Sequence, residues 1–204
     1  MLGGPRRARL LARGIDEAVS GFVETLDRLG VLDDTYIIYL SDNGIPYGEH
    51  GIFGRKNLPY EESLRIPMLI RGPGIPVMTT VDLDVLNIDV APTIAELAGI
   101  PAPGVDGRSF AGLIGRGSAG AWRRSFLAEH LPTDETTGRP LEIHSLVTQR
   151  YFYTEWGNGL RELYDRVRDP HQLDNIYDLT SPLIRAVLKA RLEYLRQCVG
   201  PACA

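Results

Sequence analysis

Thr35-Tyr36-Ile37-Ile38-Tyr39-Leu40-Ser41-Asp42-Asn43-Gly44 decides how this chain is read. Its first six residues are β-branched, aromatic or aliphatic without a break, the pattern of a strand covered on both faces. The run then stops on four turn-forming residues. In open α/β sheets that carboxyl edge is where ligands bind. Asp42 and Asn43 there offer carboxylate and amide oxygens, hard donors that suit Ca²⁺ or Mg²⁺ better than zinc. The same residues also have the composition of a plain turn, so the tetrapeptide alone leaves both readings open.

Working outward, Ile15, Val19, Phe22, Val23, Leu26 and Leu29 recur at helical spacing and Gly30 follows as a stop. Ile66–Arg71 is a second buried-type run, with Pro67 at its first residues or near an edge. Asp89 is placed to cap a helix with Pro92 in its first turn, Ile94 and Leu97 on one face and Gly99 after it. Helix, strand, long loop, strand, helix is the rhythm of a wound α/β sheet. From Ala102 to Trp122 the composition shifts to Gly, Ser, Ala and Pro, a connector. Beyond it Ser125–Glu129, Ile143–Gln149, Tyr151–Trp156 and Leu160–Tyr164 are short strand-like runs, and Gly157-Asn158-Gly159 marks a hairpin. Ser181-Pro182 then opens a helix whose Leu183, Ile184, Val187, Leu188, Leu192 and Leu195 are expected to share one apolar face. Two domains are expected: 1–116, α/β, and 117–204, a small antiparallel sheet with a terminal helix.

Composition narrows the function classes. Over 204 residues, 44% are hydrophobic and 24% charged, an ordinary globular balance. The net charge of −4, without a dense basic stretch, argues against a nucleic-acid partner. No apolar run approaches the roughly 20 residues of a membrane span, and the basic stretch Met1–Arg9 lacks the apolar run that a secretory signal needs. Cys198 and Cys203 are the only cysteines, too few for a disulfide-built fold. Their spacing leaves a local disulfide and free thiols equally open.

Other residues gain meaning from their neighbours. His50 sits in the glycine-flanked Gly48-Glu49-His50-Gly51, where a ligand could approach closely, and Lys56 could meet an anion. Either is also compatible with an ordinary structural or surface role. Glu61-Glu62 reads as the first turn of a short helix leading into Ile66.

Taken together, Ser41-Asp42-Asn43-Gly44, Gly48-Glu49-His50-Gly51, Lys56 and Tyr60-Glu61-Glu62-Ser63-Leu64-Arg65-Ile66-Pro67, running on to Gly72-Pro73-Gly74, resemble the second half of a sulfatase. The resemblance continues through Asn87-Ile88-Asp89, Pro92-Thr93, Leu97-Ala98-Gly99 and Val105–Ser109, and returns at Glu162-Leu163-Tyr164-Asp165, Asp169-Pro170 and Asp174-Asn175. It implies the C-terminal portion of an alkaline-phosphatase-like α/β fold that hydrolyses sulfate esters of aryl alcohols or sugars. It further implies Asp42 and Asn43 as ligands of a divalent cation, Ca²⁺ (or Mg²⁺), and Lys56 as a contact for the sulfate oxygens. His50 is carried over less firmly, as a substrate-pocket residue or a structural one.

The family's nucleophile is a formylglycine made from Cys or Ser in a Cys/Ser-x-Pro-x-Arg motif, and this chain contains none. Cys198-Val199-Gly200-Pro201 places proline one position late, and Ser181-Pro182 one early. The expectation is therefore a sulfatase fragment whose missing N-terminal half brings the nucleophile and the other acidic ligands. Such a fragment binds calcium weakly, is inactive alone and leaves apolar surface uncovered. A phosphoryl or phosphonate ester hydrolase of the same superfamily, and a non-catalytic sulfatase-like binding module, are the rival readings.

Overall fold

The computed structural model describes residues 5–54, 56–114, 121–131, 142–200 and 203, with side chains from residue 12. The chain divides into two compact units, residues 1–41 with 66–79, and 42–65 with 80–204. The boundary expected at 116/117 and the middle of the Ala102–Trp122 connector lie outside the described residues.

In the first unit, helix α1 (Pro5–Arg28) is longer than the expected Ile15–Leu29. Val19, Val23 and Leu26 form its half-buried stripe, while Phe22 stays 69% exposed. Gly30, at a φ of 71°, ends the helix, and the Val31 N–H donates back to the Leu26 carbonyl at 3.0 Å. Strand β1 (Ile37–Leu40) pairs antiparallel with β2 (Met68–Arg71), Ile37 opposite Arg71 and Leu40 opposite Met68. Pro67 falls just before β2, where its missing N–H costs the ladder nothing. The strands were expected to be covered on both faces. Instead β1 is half-buried throughout and β2 alternates half-buried with exposed. Among the described residues this sheet has only two strands, so its faces are incompletely packed.

The second unit carries an antiparallel meander of four strands, β3 (Ser125–His130), β4 (Ile143–Thr148), β5 (Tyr151–Trp156) and β6 (Arg161–Asp165). Gly159 makes the β5–β6 turn at a φ of 94°, its N–H donating to the Trp156 carbonyl. Helix α4 (Pro182–Gln197) starts on the Ser181 hydroxyl, which accepts from the Ile184 N–H. It packs Leu188, Leu192 and Leu195 against Leu146, Tyr153 and Leu163 of the sheet. Leu183 and Val187 are exposed, contrary to the expected face. At about 100° per residue they lie roughly 140° and 100° around the helix from Leu188, off the buried stripe. The opposite sheet face buries Val147, Phe152 and Tyr164, with Phe126 and Tyr60 packed on them.

Helix α3 (Val90–Leu97) also departs from its expected face: Ile94 is exposed, and Pro92, Thr93 and Ala95 are buried. A threonine can face inward because its hydroxyl accepts from the Phe110 N–H at 2.9 Å and donates to the Asp89 carbonyl at 2.6 Å. Asp89 does not cap α3 with its side chain. Its fully buried carboxylate instead accepts from the Leu86 and Arg108 N–H groups and forms a two-pronged ion pair with Arg123. Cys198 and Cys203 form a disulfide, which resolves the question their spacing left open.

Candidate functional site

The candidate residues belong to the segment that follows β1 in the chain, and all lie in the second unit. Its path is fixed by close backbone packing. The Gly44 N–H donates to the Ser63 carbonyl at 2.8 Å, and a Cβ on Gly44 would sit 2.0 Å from the Glu62 carbonyl oxygen. Only glycine fits there. Immediately before it, the Asn43 N–H donates to Asp42 Oδ1 at 3.0 Å and Asn43 Nδ2 donates to the Gly44 carbonyl at 2.8 Å. The amide donor is thus engaged locally, and Oδ1 is the atom Asn43 can offer a cation. Asn87 Nδ2 reaches the Asp42 carbonyl at 3.3 Å, tying this turn to the Asn87–Asp89 3₁₀ turn that the buried Asp89–Arg123 pair anchors. That tie was not foreseen from the sequence; the Asn87-Ile88-Asp89 motif was its only signal.

Lys56 Nζ lies 3.9 Å from Asp42 Oδ2, and both side chains are largely open to solvent. The structure therefore places Lys56 beside Asp42, whereas the Asn43 amide is turned to the Gly44 carbonyl next to it. Within the segment that separates Asp42 from Lys56, residues 47–53 make a loop closed by a bridge pairing Tyr47 with Phe53. The Glu49 carboxylate accepts from the Tyr47 N–H at 2.5 Å, and hydrogen bonds from its own and the Tyr47 backbone hold its pKa below the usual range.

His50 has a different setting. It takes a left-handed conformation, φ 56°, between Gly48 and Gly51. Its side chain is nearly buried: the ring stacks on Tyr60, centroids 4.0 Å apart and planes 14° from parallel, with Nε2 3.5 Å from Glu62 Oε2. Tyr60 leads into α2 (Glu61–Leu64), the short helix expected there. The Glu61 N–H donates to Gln172 Oε1 at 2.7 Å, and Arg166 donates to the Glu61 carboxylate at 2.8 Å. Beneath Tyr60, Glu162 on β6 is buried, which raises its pKa; burial likewise raises those of Tyr60 and Tyr164. Sequence reading gave no sign of Gln172 or Arg166, because their partners are more than a hundred residues away.

As a cation site the described residues are a partial fit. Asp42 and Asn43 are two hard oxygen donors, whereas calcium takes six to eight. No cluster of three or more His, Cys, Asp or Glu able to hold a metal occurs among the described residues. An ammonium near the carboxylate suits an anion placed beside a cation.

Comparison with known proteins gives this arrangement a context. Residues 48–198 match the family "N-sulphoglucosamine sulphohydrolase, C-terminal". An arylsulfatase of Chlamydomonas reinhardtii is 34% identical over 97% of this chain and 35% of its own length. The structure of BT4656 in complex with its substrate D-glucosamine-2-N,6-O-disulfate superposes with a TM-score of 0.83 at 27% identity, covering 91% of this chain and 39% of that one. The phosphonate monoester hydrolase of Agrobacterium radiobacter shares the fold, with a TM-score of 0.77 at 24% identity over 89% of this chain and 38% of the other. The chain thus spans little more than a third of the length of each of these three relatives. No helix among the described residues is long and apolar enough to cross a membrane.

Proposed function

Since this chain belongs to the sulfatase C-terminal family, we propose that it is the C-terminal part of a sulfuric ester hydrolase and carries one side of its cation and sulfate site. Asp42 and Asn43 supply two oxygen ligands to Ca²⁺ (or Mg²⁺), and Lys56 meets the sulfate oxygens. The observation that carries this reading is the approach of Lys56 Nζ to 3.9 Å from the Asp42 carboxylate. Hydrolysis of a sulfate ester moves negative charge onto the leaving oxygen and the nonbridging oxygens. An ammonium held in place near them stabilises that charge more than the ground state. A divalent cation, when bound, adds positive charge on the same side. The remaining ligands and the formylglycine nucleophile come, on this reading, from a preceding N-terminal half. The exposed Phe22 and Leu69 of the first unit are consistent with surface that such a half covers.

The substrate class is a sulfate ester, and a sulfated sugar is favoured by the ligand named for BT4656. The 204-residue chain alone is expected to be inactive. Calcium titration followed by NMR should give a weak response, with a Kd of about 1 mM or more given two of the six to eight ligands, and Asp42→Ala should abolish it. Micromolar binding, or turnover of an aryl sulfate by the purified chain, would overturn the reading. When the chain is joined to a half carrying the nucleophile, paired aryl sulfate and aryl phosphate assays separate sulfatase from phosphonate hydrolase chemistry. No turnover of either ester would favour the binding-module alternative.

A further inference from the structure

Lys56 stands on a segment whose two ends touch. His50 lies six residues before it and Tyr60 four residues after, and their rings are stacked at 4.0 Å. The described residues between them, Lys56 included, belong to a segment clasped at its base by two aromatic rings. The clasp is itself fastened. Tyr60 packs on Val147, Phe152 and Tyr164 of the four-stranded sheet, and Gln172 and Arg166 hold Glu61 beside it. On the other ring, His50 Nε2 faces Glu62 Oε2 at 3.5 Å; among the described residues neither buried atom has a hydrogen-bond partner. A nearly buried polar pair and a non-glycine residue at positive φ are both costly, and such features persist where the surroundings over-determine them.

We propose that His50 is a positioning residue for the sulfate-binding lysine: its ring, wedged between Tyr60 and Glu62, closes the 50–60 loop and so places the Lys56 ammonium opposite Asp42. It rests on the reading of Lys56 as the sulfate contact. His50 does not touch the ester. It acts through the loop, and its burial keeps it away from any ligand that Lys56 meets in solvent.

The test uses the 204-residue chain and inorganic sulfate, read as the shift of the Lys56 side-chain ε-methylene signals in NMR. Lys56→Met fixes the reference, as the weakening of sulfate binding read from backbone amides nearby. An exposed charge contact of this kind contributes about 0.2–1 kcal/mol, so the expected loss is roughly 1.5- to 5-fold. His50→Asn removes the ring while keeping a residue at ease in the left-handed region. It should weaken sulfate by the same factor as Lys56→Met, and the two combined should be no worse than either. His50→Phe restores a ring to stack on Tyr60 but not the contact to Glu62. Its sulfate affinity should return towards wild type even though its melting temperature falls. Tyr60→Leu, which opens the clasp from the other side, should match His50→Asn. Undiminished sulfate binding in His50→Asn, with Lys56→Met impaired, would overturn the positioning role. So would a His50→Phe variant that stays as weak as His50→Asn. An unimpaired Lys56→Met would instead overturn the assignment of Lys56 on which the inference stands.

Discussion

Removing the Arg123 guanidinium is the most demanding perturbation available in the second unit. Its side chain is 3% exposed and that of Asp89 fully buried, with Arg123 Nη2 2.7 Å from Asp89 Oδ1 and a second contact from Nη1 to Oδ2. Arg123→Met keeps the stem but strands a carboxylate that water cannot reach. Breaking a buried pair by deleting one partner costs about 3–5 kcal/mol. The Leu86 and Arg108 N–H groups still donate to Asp89, at 2.8 and 2.7 Å, so the lower end, about 3 kcal/mol, is expected. With a urea m-value of about 2 kcal/mol/M, the midpoint should fall by roughly 1.5 M. Trp122, stacked against both Arg123 and Arg108, reports the transition by fluorescence, and Trp156 on β5 is the second tryptophan. Adding Asp89→Asn to Arg123→Met should recover part of the loss, because the stranded charge is gone. Asp89 also accepts from Leu86 at the Asn87–Asp89 turn, so the Asn87 contact to the Asp42 carbonyl should loosen and calcium binding weaken in parallel. A midpoint shift below about 0.3 M, or a double variant worse than the sum of the two single ones, would refute the account.

Glu162→Gln should change the pH dependence of stability. Burial raises the folded-state pKa of Glu162 above its unfolded value of about 4.5, so its stabilising contribution is complete below that value and is lost as pH rises through the folded pKa. The variant should therefore melt above wild type at neutral pH and lose that advantage below about pH 4.5; a constant gap across a pH series of melts would contradict the sign. Gly44→Ala drives a Cβ into the Glu62 carbonyl, so it should lose the Gly44–Ser63 contact and the calcium response together, seen by NMR titration. Replacing both Cys198 and Cys203 with Ser opens a loop spanning five positions and should cost up to about 2 kcal/mol by chain entropy. Hydrogen exchange should show the change at the end of α4 and at Gly200, whose N–H donates to Asp106 at 2.6 Å.

Local chemistry made much of this protein legible from its residues in order. The strands at 37–40, 125–130, 143–148 and 151–156, the Gly157–Gly159 hairpin, the Ser181 cap and the short helix at Glu61 follow from propensity, capping and turn geometry, which act over a few residues. The grouping of Asp42, Asn43 and Lys56 came from the resemblance to a family rather than from composition or spacing, and of it the structure shows the approach of Lys56 to Asp42. What the sequence could not decide was set by partners far along the chain. Asp89 reads as a cap until Arg123, 34 residues on, is seen to take its carboxylate. Leu183, Val187 and Ile94 read as core until the packing direction of their helices leaves them in solvent, since hydrophobicity names a candidate face but not the surface it meets. His50 is the clearest case. Alone it is a loop histidine, and only the fold brings Tyr60 beneath its ring and Glu62 to its nitrogen. A side chain's protonation chemistry is written in its residue type, but its neighbours, and therefore its role, are assigned by tertiary packing.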